Sequence, residues 1–187
     1  MHIDYLVNEL DRIRPSLDSL SPEDVVPHLN NSRDVNEVRG RASEALVRQW
    51  LSLCPDVRLD EDFPRTVDGL TLTATSSGIL VQNGDQRVQC EYDFLIYFER
   101  GHAVPVVVEV KSGGLNGFGG KIDAHLEMAR RIYGRRDVGL LVFYPFRGRT
   151  DAVHMQRTHP LVRGVDLGYR RWQMQNYVER LQRQQRL

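Results

Sequence analysis

The chain has 187 residues, 41% of them hydrophobic and 27% charged, with 25 basic and 25 acidic side chains and a net charge of zero. That composition reads as one globular domain, large enough to bury about two-thirds of its unfolded surface, and it excludes disordered, collagen-like and disulfide-dense classes. Two cysteines without CxxC spacing, Cys54 and Cys90, read as buried thiols of an intracellular protein, cytoplasmic or nucleoid-associated. No stretch approaches the ~18 apolar residues of a membrane span, and the acidic start MHIDYLVNELD lacks the basic region of a signal peptide.

In 1–14, Ile3, Leu6, Val7, Leu10 and Ile13 recur at helical spacing, and Pro15 ends the pattern. SPEDVV predicts a second helix start, with Ser21 as N-cap and Pro22 at the first helical position. PHLNNSRDVN (27–36) reads as a loop. A third helix is expected from Val38 to Leu53, with Val38, Ala42, Ala45, Leu46, Trp50 and Leu53 on one side and Glu44 beside that stripe. The period then changes to two. Residues 70–82, 87–98 and 104–111 read as a three-strand meander, with a hairpin signal at Asn83-Gly84-Asp85. A glycine-rich loop (Gly113, Gly114, Gly117, Gly119, Gly120) leads to a helix ending near Tyr133, and VGLLVF (138–143) reads as a buried strand. From about 160 the chain reads as one or two arginine-rich helices. There, Trp172, Met174, Tyr177 and Leu181 are expected to pack on the core or on a second copy, which leaves a homodimer open. The predicted fold is α/β: an αβββαβ core with a mixed central sheet flanked by helices. A helical extension (1–36), the core (37–145) and a C-terminal helical extension (146–187) form one compact domain.

Charge is unevenly spread. Residues 1–37 hold eight acids and three arginines, 130–149 six arginines and one acid, and 163–187 six arginines and two acids. A basic face that meets phosphates and ordinary solvated helix surfaces both account for this. Lysine occurs only as Lys111 and Lys121, which suggests that position 111 has its own requirement.

PVVVEVKSGG (105–114) ends a valine run with two charges. In a strand, Val106, Val108 and Val110 share one face while Val107, Glu109 and Lys111 share the other. A hairpin about Gly101 pairs residues whose numbers sum to 202, so Phe94 faces Val108, Ile96 faces Val106, and Asp93 falls opposite Glu109. Like charges at such positions repel, by about 4 kcal/mol at ~4 Å and an effective dielectric of 20. Lys111 is one compensation; a divalent cation such as Mg²⁺, which seeks clustered oxygens, is another. Spacing alone leaves a salt-bridged, solvent-facing strand end equally open.

Tyr92-Asp93, then fifteen residues, then Glu109-Val110-Lys111 resembles the D…(D/E)xK signature of the PD-(D/E)XK, or restriction-endonuclease-like, nuclease superfamily. The element order over roughly 38–143 resembles that superfamily's core. RGRASEALVRQWL with Glu44 is similar to the first core helix of Holliday junction resolvases and restriction enzymes. Tyr92 stands where the family often has proline, and His125 where several subfamilies have glutamine or lysine. The resemblance implies a Mg²⁺-dependent endonuclease acting on DNA, with Mn²⁺ as substitute. It places Asp93, Glu109 and the Val110 carbonyl around the metal, Lys111 as the group that orients water and neutralises charge, and Glu44 at a second ion or supporting the first shell. An exposed helix glutamate is the alternative for Glu44. Lys121 and His125, one turn apart, face either the cleft or solvent, and Arg170 and Arg171 are candidate phosphate contacts. A non-catalytic nucleic-acid-binding or subunit module, and a ribonuclease, are the alternatives for the whole.

Other motifs lack support. GGLNGFGGKI has Leu115 where a P-loop needs glycine and Ile122 where it needs Ser or Thr, so no nucleotide cofactor is expected. His154 and His159 lack partners at zinc spacing.

Overall fold

The computed structural model describes residues 2–21, 23, 25, 34–112, 118–144 and 156–184, with the side chains of His2 and Arg171 left out. The elements in chain order are α1 (His2–Arg12), a 3₁₀ turn (Leu17–Ser19), α2 (Val35–Leu53), β1 (Val57–Leu59), β2 (Arg65–Val67), β3 (Leu70–Ala74), β4 (Ile79–Asn83), β5 (Val88–Tyr92), β6 (Phe94–Phe98), β7 (Val104–Val110), α3 (Ile122–Tyr133), β8 (Gly139–Tyr144), β9 (Val162–Asp166) and α4 (Arg171–Gln184). No described helix is long and apolar enough to cross a membrane.

The fold is mixed α/β, with two sheets. The larger has the order β1-β6-β7-β8-β9; the smaller, β2-β3-β4-β5, is antiparallel throughout. In the larger sheet, β1/β6 and β6/β7 are antiparallel, whereas β7/β8 and β8/β9 are parallel. Strand alternation sends its side chains into two cores. Phe94, Ile96, Phe98, Val106, Val108 and Val110 pack with α1, α2 and α4. Leu95, Val107, Leu140 and Val142 pack with Ile122, Leu126, Ala129 and Ile132 of α3 and with the inner face of the small sheet. Covered on both sides, β7 is buried from Pro105 to Val110, which is why its sequence is nearly all valine.

The β6/β7 register is the expected one: Phe94 faces Val108 and Ile96 faces Val106. Helix α2 starts three residues before Val38 because the Asp34 side chain accepts the Asn36 amide at 2.8 Å and caps it. Trp50 donates to the Leu10 carbonyl at 2.7 Å, which locks α2 to α1.

Three expectations change. Residues 70–82 form not a strand of the central sheet but the β3–β4 hairpin of the small one. The second neighbour of β6 is β1, three residues long and too short to show a period. The run 87–98 is two strands, split at Asp93, where the chain leaves one sheet and enters the other. Residues 162–166, expected within a helix, are a fifth strand parallel to β8. The helix start expected at Ser21 falls mostly outside the described residues; ahead of it stands the 3₁₀ turn capped by Ser16. Met174, Tyr177 and Leu181 pack on the core of this same chain, while Trp172 is 57% exposed.

The turn 75–78 packs against the sheet switch. Gly78 has φ +151°, and a Cβ there would lie 2.3 Å from the Tyr92 carbonyl oxygen. Only glycine allows that approach. Gly78→Ala is therefore expected to lower stability by about 1–3 kcal/mol in denaturant unfolding. An unchanged midpoint would show that the turn stands off from Tyr92.

Candidate active site

The parallel strands β7, β8 and β9 end together at Val110, Tyr144 and Asp166. Antiparallel β6 starts at that edge, just after Asp93. Helix α2 joins it: a Cβ on Gly40 would lie 3.8 Å from Ser112 Oγ, and Glu44 is one turn further along. A crevice beyond the carboxyl ends of parallel strands is the usual ligand position in α/β sheets.

Continued one step past Phe94–Val108, the ladder brings Asp93 opposite Glu109. Asp93 Oδ2 accepts the Val110 amide at 2.5 Å, so this side chain completes backbone pairing where the strand breaks. Burial, and then the Glu109 charge, push the Asp93 carboxyl up to about 8; the Val110 amide and Lys111 pull it back, and Glu44 adds a further push.

Glu109 is 3% exposed. Its Oε2 accepts from Lys111 Nζ at 2.5 Å. Lys111 is two residues on and so shares its face. The ammonium also sits 4.8 Å above the Phe118 ring. The other oxygen, Oε1, is buried and makes no hydrogen bond, although His125 Nδ1 lies 3.3 Å away and is itself without a hydrogen-bond partner. The His125 ring packs edge-on between Tyr92 and Phe118, with centroids at 5.5 and 5.6 Å. The Tyr92 hydroxyl donates to the His125 carbonyl at 2.7 Å. His125 thus faces the carboxylate.

Glu44 stands on the other side of Asp93, in a cleft of about 640 Å³ between α2 and the small sheet. Arg41 holds it: Nη1 lies 3.0 Å from Glu44 Oε2 and donates to the Ser76 carbonyl at 2.9 Å. Arg41 is a residue that sequence reasoning missed; its i, i+3 spacing from Glu44 was the available signal. The inward turn of His125 was signalled by its position three residues after Ile122 on the apolar stripe. Lys121 is exposed in the turn before α3, and Arg170 is exposed just before α4. The Arg171 side chain, His154, and Gly113, Gly114 and Gly117 lie outside the described residues. His159 Nδ1 lies 3.4 Å from Asp123.

The structure therefore gathers Asp93, Glu109, Val110 and Lys111, packs His125 against Glu109, sets Glu44 across the adjoining cleft, and leaves Lys121 and Arg170 at the surface. Among the described residues no group of three or more His, Cys, Asp or Glu side chains is placed to hold a metal ion. Two carboxylates, one with an orphaned buried oxygen, and a main-chain carbonyl are nonetheless donors of the type that a hard cation takes. No protein-family model, curated protein or solved structure matches the chain.

Proposed function

We propose that the protein is a Mg²⁺-dependent nuclease that hydrolyses phosphodiester bonds in DNA as an endonuclease. One observation carries the reading: Glu109 is a buried carboxylate with one oxygen on Lys111 and the other without a hydrogen bond, beside an Asp93 whose ionisation it opposes. Burying such a pair is costly unless something positive joins it. The chain order also supports the reading. Helix α2, antiparallel β1, β6 and β7, helix α3 and parallel β8 follow the αβββαβ order of restriction-endonuclease-like cores, with residues 65–92 as an insertion.

In this reading Asp93, Glu109 and the Val110 carbonyl would hold the cation, with Mn²⁺ as a substitute. When bound, it lowers the pKa of a water and polarises the phosphate. Lys111, held by Glu109 and the Phe118 ring, meets the negative charge that develops on the phosphate oxygens. A compact ammonium suits that position better than a planar guanidinium. Glu44, fixed by Arg41, supports the acidic side of the cleft.

A second reading, a non-catalytic nucleic-acid-binding module, is favoured by the Lys111–Glu109 ion pair, which already gives the buried carboxylate a positive partner. A cleavage panel separates the two. Single-stranded, duplex, flap and four-way DNA, with RNA alongside, are offered with Mg²⁺ or Mn²⁺. Cleavage of a DNA form is expected, abolished by EDTA and by the Asp93→Ala/Glu109→Ala double variant. Salt-sensitive binding without cleavage of any substrate would transfer the assignment to the binding module.

A further inference from the structure

The far end of α3 carries a second feature. Arg130, Arg131, Arg135 and Arg136, with Glu127 and Gly134, line a surface hollow of about 540 Å³. Two of the arginines are already engaged. Arg131 Nε lies 3.2 Å from Asp68 Oδ2, and Arg135 grips Asp137 with bonds of 2.8 and 2.7 Å. The other two are held less tightly. Arg130 approaches Glu127 only to 3.7 Å, and its Nε is buried without a hydrogen-bond partner. Arg136 is exposed and has no carboxylate partner among the described residues.

Arginines in a last helical turn complement the helix dipole, which accounts for Arg130 and Arg131. It does not account for Arg136, which lies beyond the helix end and is exposed. The planar fork of guanidinium is the group that best matches phosphate oxygens.

We infer that the hollow formed by Arg130 and Arg136 is a phosphate-binding site, separate from the candidate active site: it lies at the C-terminal end of α3, whereas His125 sits in the first turn. Its occupant is a phosphate of a nucleic-acid backbone. Only that choice of occupant rests on the nuclease reading. Arg131 and Arg135, held by their carboxylates, form the walls, and Arg136 and the loosely paired Arg130 supply the donors. The site would anchor a strand remote from the cutting position, adding affinity without sequence preference.

The test uses the full chain, EDTA to prevent turnover, and a fluorescently labelled DNA duplex read by anisotropy across a salt series. The variants are Arg136→Gln and Arg130→Gln/Arg136→Gln, which spare both wall ion pairs; thermal melts check that they fold. The double variant is expected to bind about tenfold more weakly at low salt. Its slope of log K against log salt should be shallower by about one to two. An affinity and slope equal to the wild type in the folded double variant would overturn the proposal. Calorimetry with inorganic phosphate distinguishes the source: phosphate binding lost in the double variant, with duplex binding unaltered, overturns the nucleic-acid occupant and assigns the hollow to a free phosphate. If the protein cleaves no substrate yet the double variant loses duplex binding, the hollow stands and the nuclease reading falls. If it cleaves and the double variant binds normally, the hollow alone falls.

Discussion

The metal-free Asp93→Asn protein is expected to melt higher than the wild type at about pH 9, to converge on it as the pH falls toward about 4, and to lose DNA cleavage at every pH. The carboxamide keeps an oxygen for the Val110 amide, so the backbone closure at the sheet switch survives. What the substitution removes is a carboxyl that burial and Glu109 hold up at about 8, against an ordinary value of 3.8. Below the ordinary value both folded and unfolded chains carry the proton, and Asp93 costs nothing. Between the two values the folded chain keeps the proton while the unfolded chain has released it, so stability declines as the pH rises. Above about 8 the folded carboxylate is ionised next to Glu109 and the full cost is present. One pKa unit is worth about 1.4 kcal/mol. Partial solvent access trims the total to about 2–4 kcal/mol for Asp93. A cation competes with the proton for the same oxygens, so Mg²⁺ or Mn²⁺ should raise the wild-type melting temperature at high pH and leave Asp93→Asn unmoved. Parallel melting curves for the two proteins across this range would mean that Asp93 ionises normally and is not strained by its neighbour.

Asp93 and Glu109 were legible as a pair because their hairpin has only one acceptable register. A slip of one residue would put Asp93 on the valine face, and the observed pairs Phe94–Val108 and Ile96–Val106 are those the pattern demands. The sheet switch was not legible. Val88, Cys90, Tyr92, Phe94, Ile96 and Phe98 alternate without a break, so 88–98 passes for one strand, yet Tyr92 and Leu95, three apart, face the same core. An uninterrupted strand would have put them on opposite faces. The phase slip occurs at Asp93, and the group that permits it, Gly78, lies in another hairpin. β9 was hidden for a different reason: VRGVD alternates poorly and contains a glycine and two charges. Arg163 is there to meet Asp4 of α1 at 2.6 Å, a partner 159 residues away. His125 illustrates the limit for side chains. Its place beside the apolar stripe was visible, but its proximity to Glu109 depends on how α3 docks on β7, which no local pattern encodes.

Lys111→Ala is expected to reduce the cleavage rate by about 10²–10³-fold with little change in substrate affinity, the loss characteristic of a group acting on charge that develops only in the transition state. The ammonium is set by two contacts, Glu109 Oε2 at 2.5 Å and the Phe118 ring at 4.8 Å, and at 31% side-chain exposure it bridges the buried carboxylate and the solvent-facing edge. Lys111→Arg keeps the charge and should not rescue the rate, because a planar fork cannot occupy the seat of a compact ammonium between a carboxylate and a ring. Removing the ammonium also strips the buried Glu109 of its hydrogen-bonded cation, so Lys111→Ala should lose about 1–3 kcal/mol of stability in the absence of metal. Glu109→Gln in the Lys111→Ala background neutralises the stranded carboxylate. It should return most of that stability and none of the activity, which separates a chemical role from a structural one. A Lys111→Ala protein that cleaves within about threefold of the wild type would contradict the transition-state role, leaving Lys111 as the counter-ion of Glu109 and nothing more.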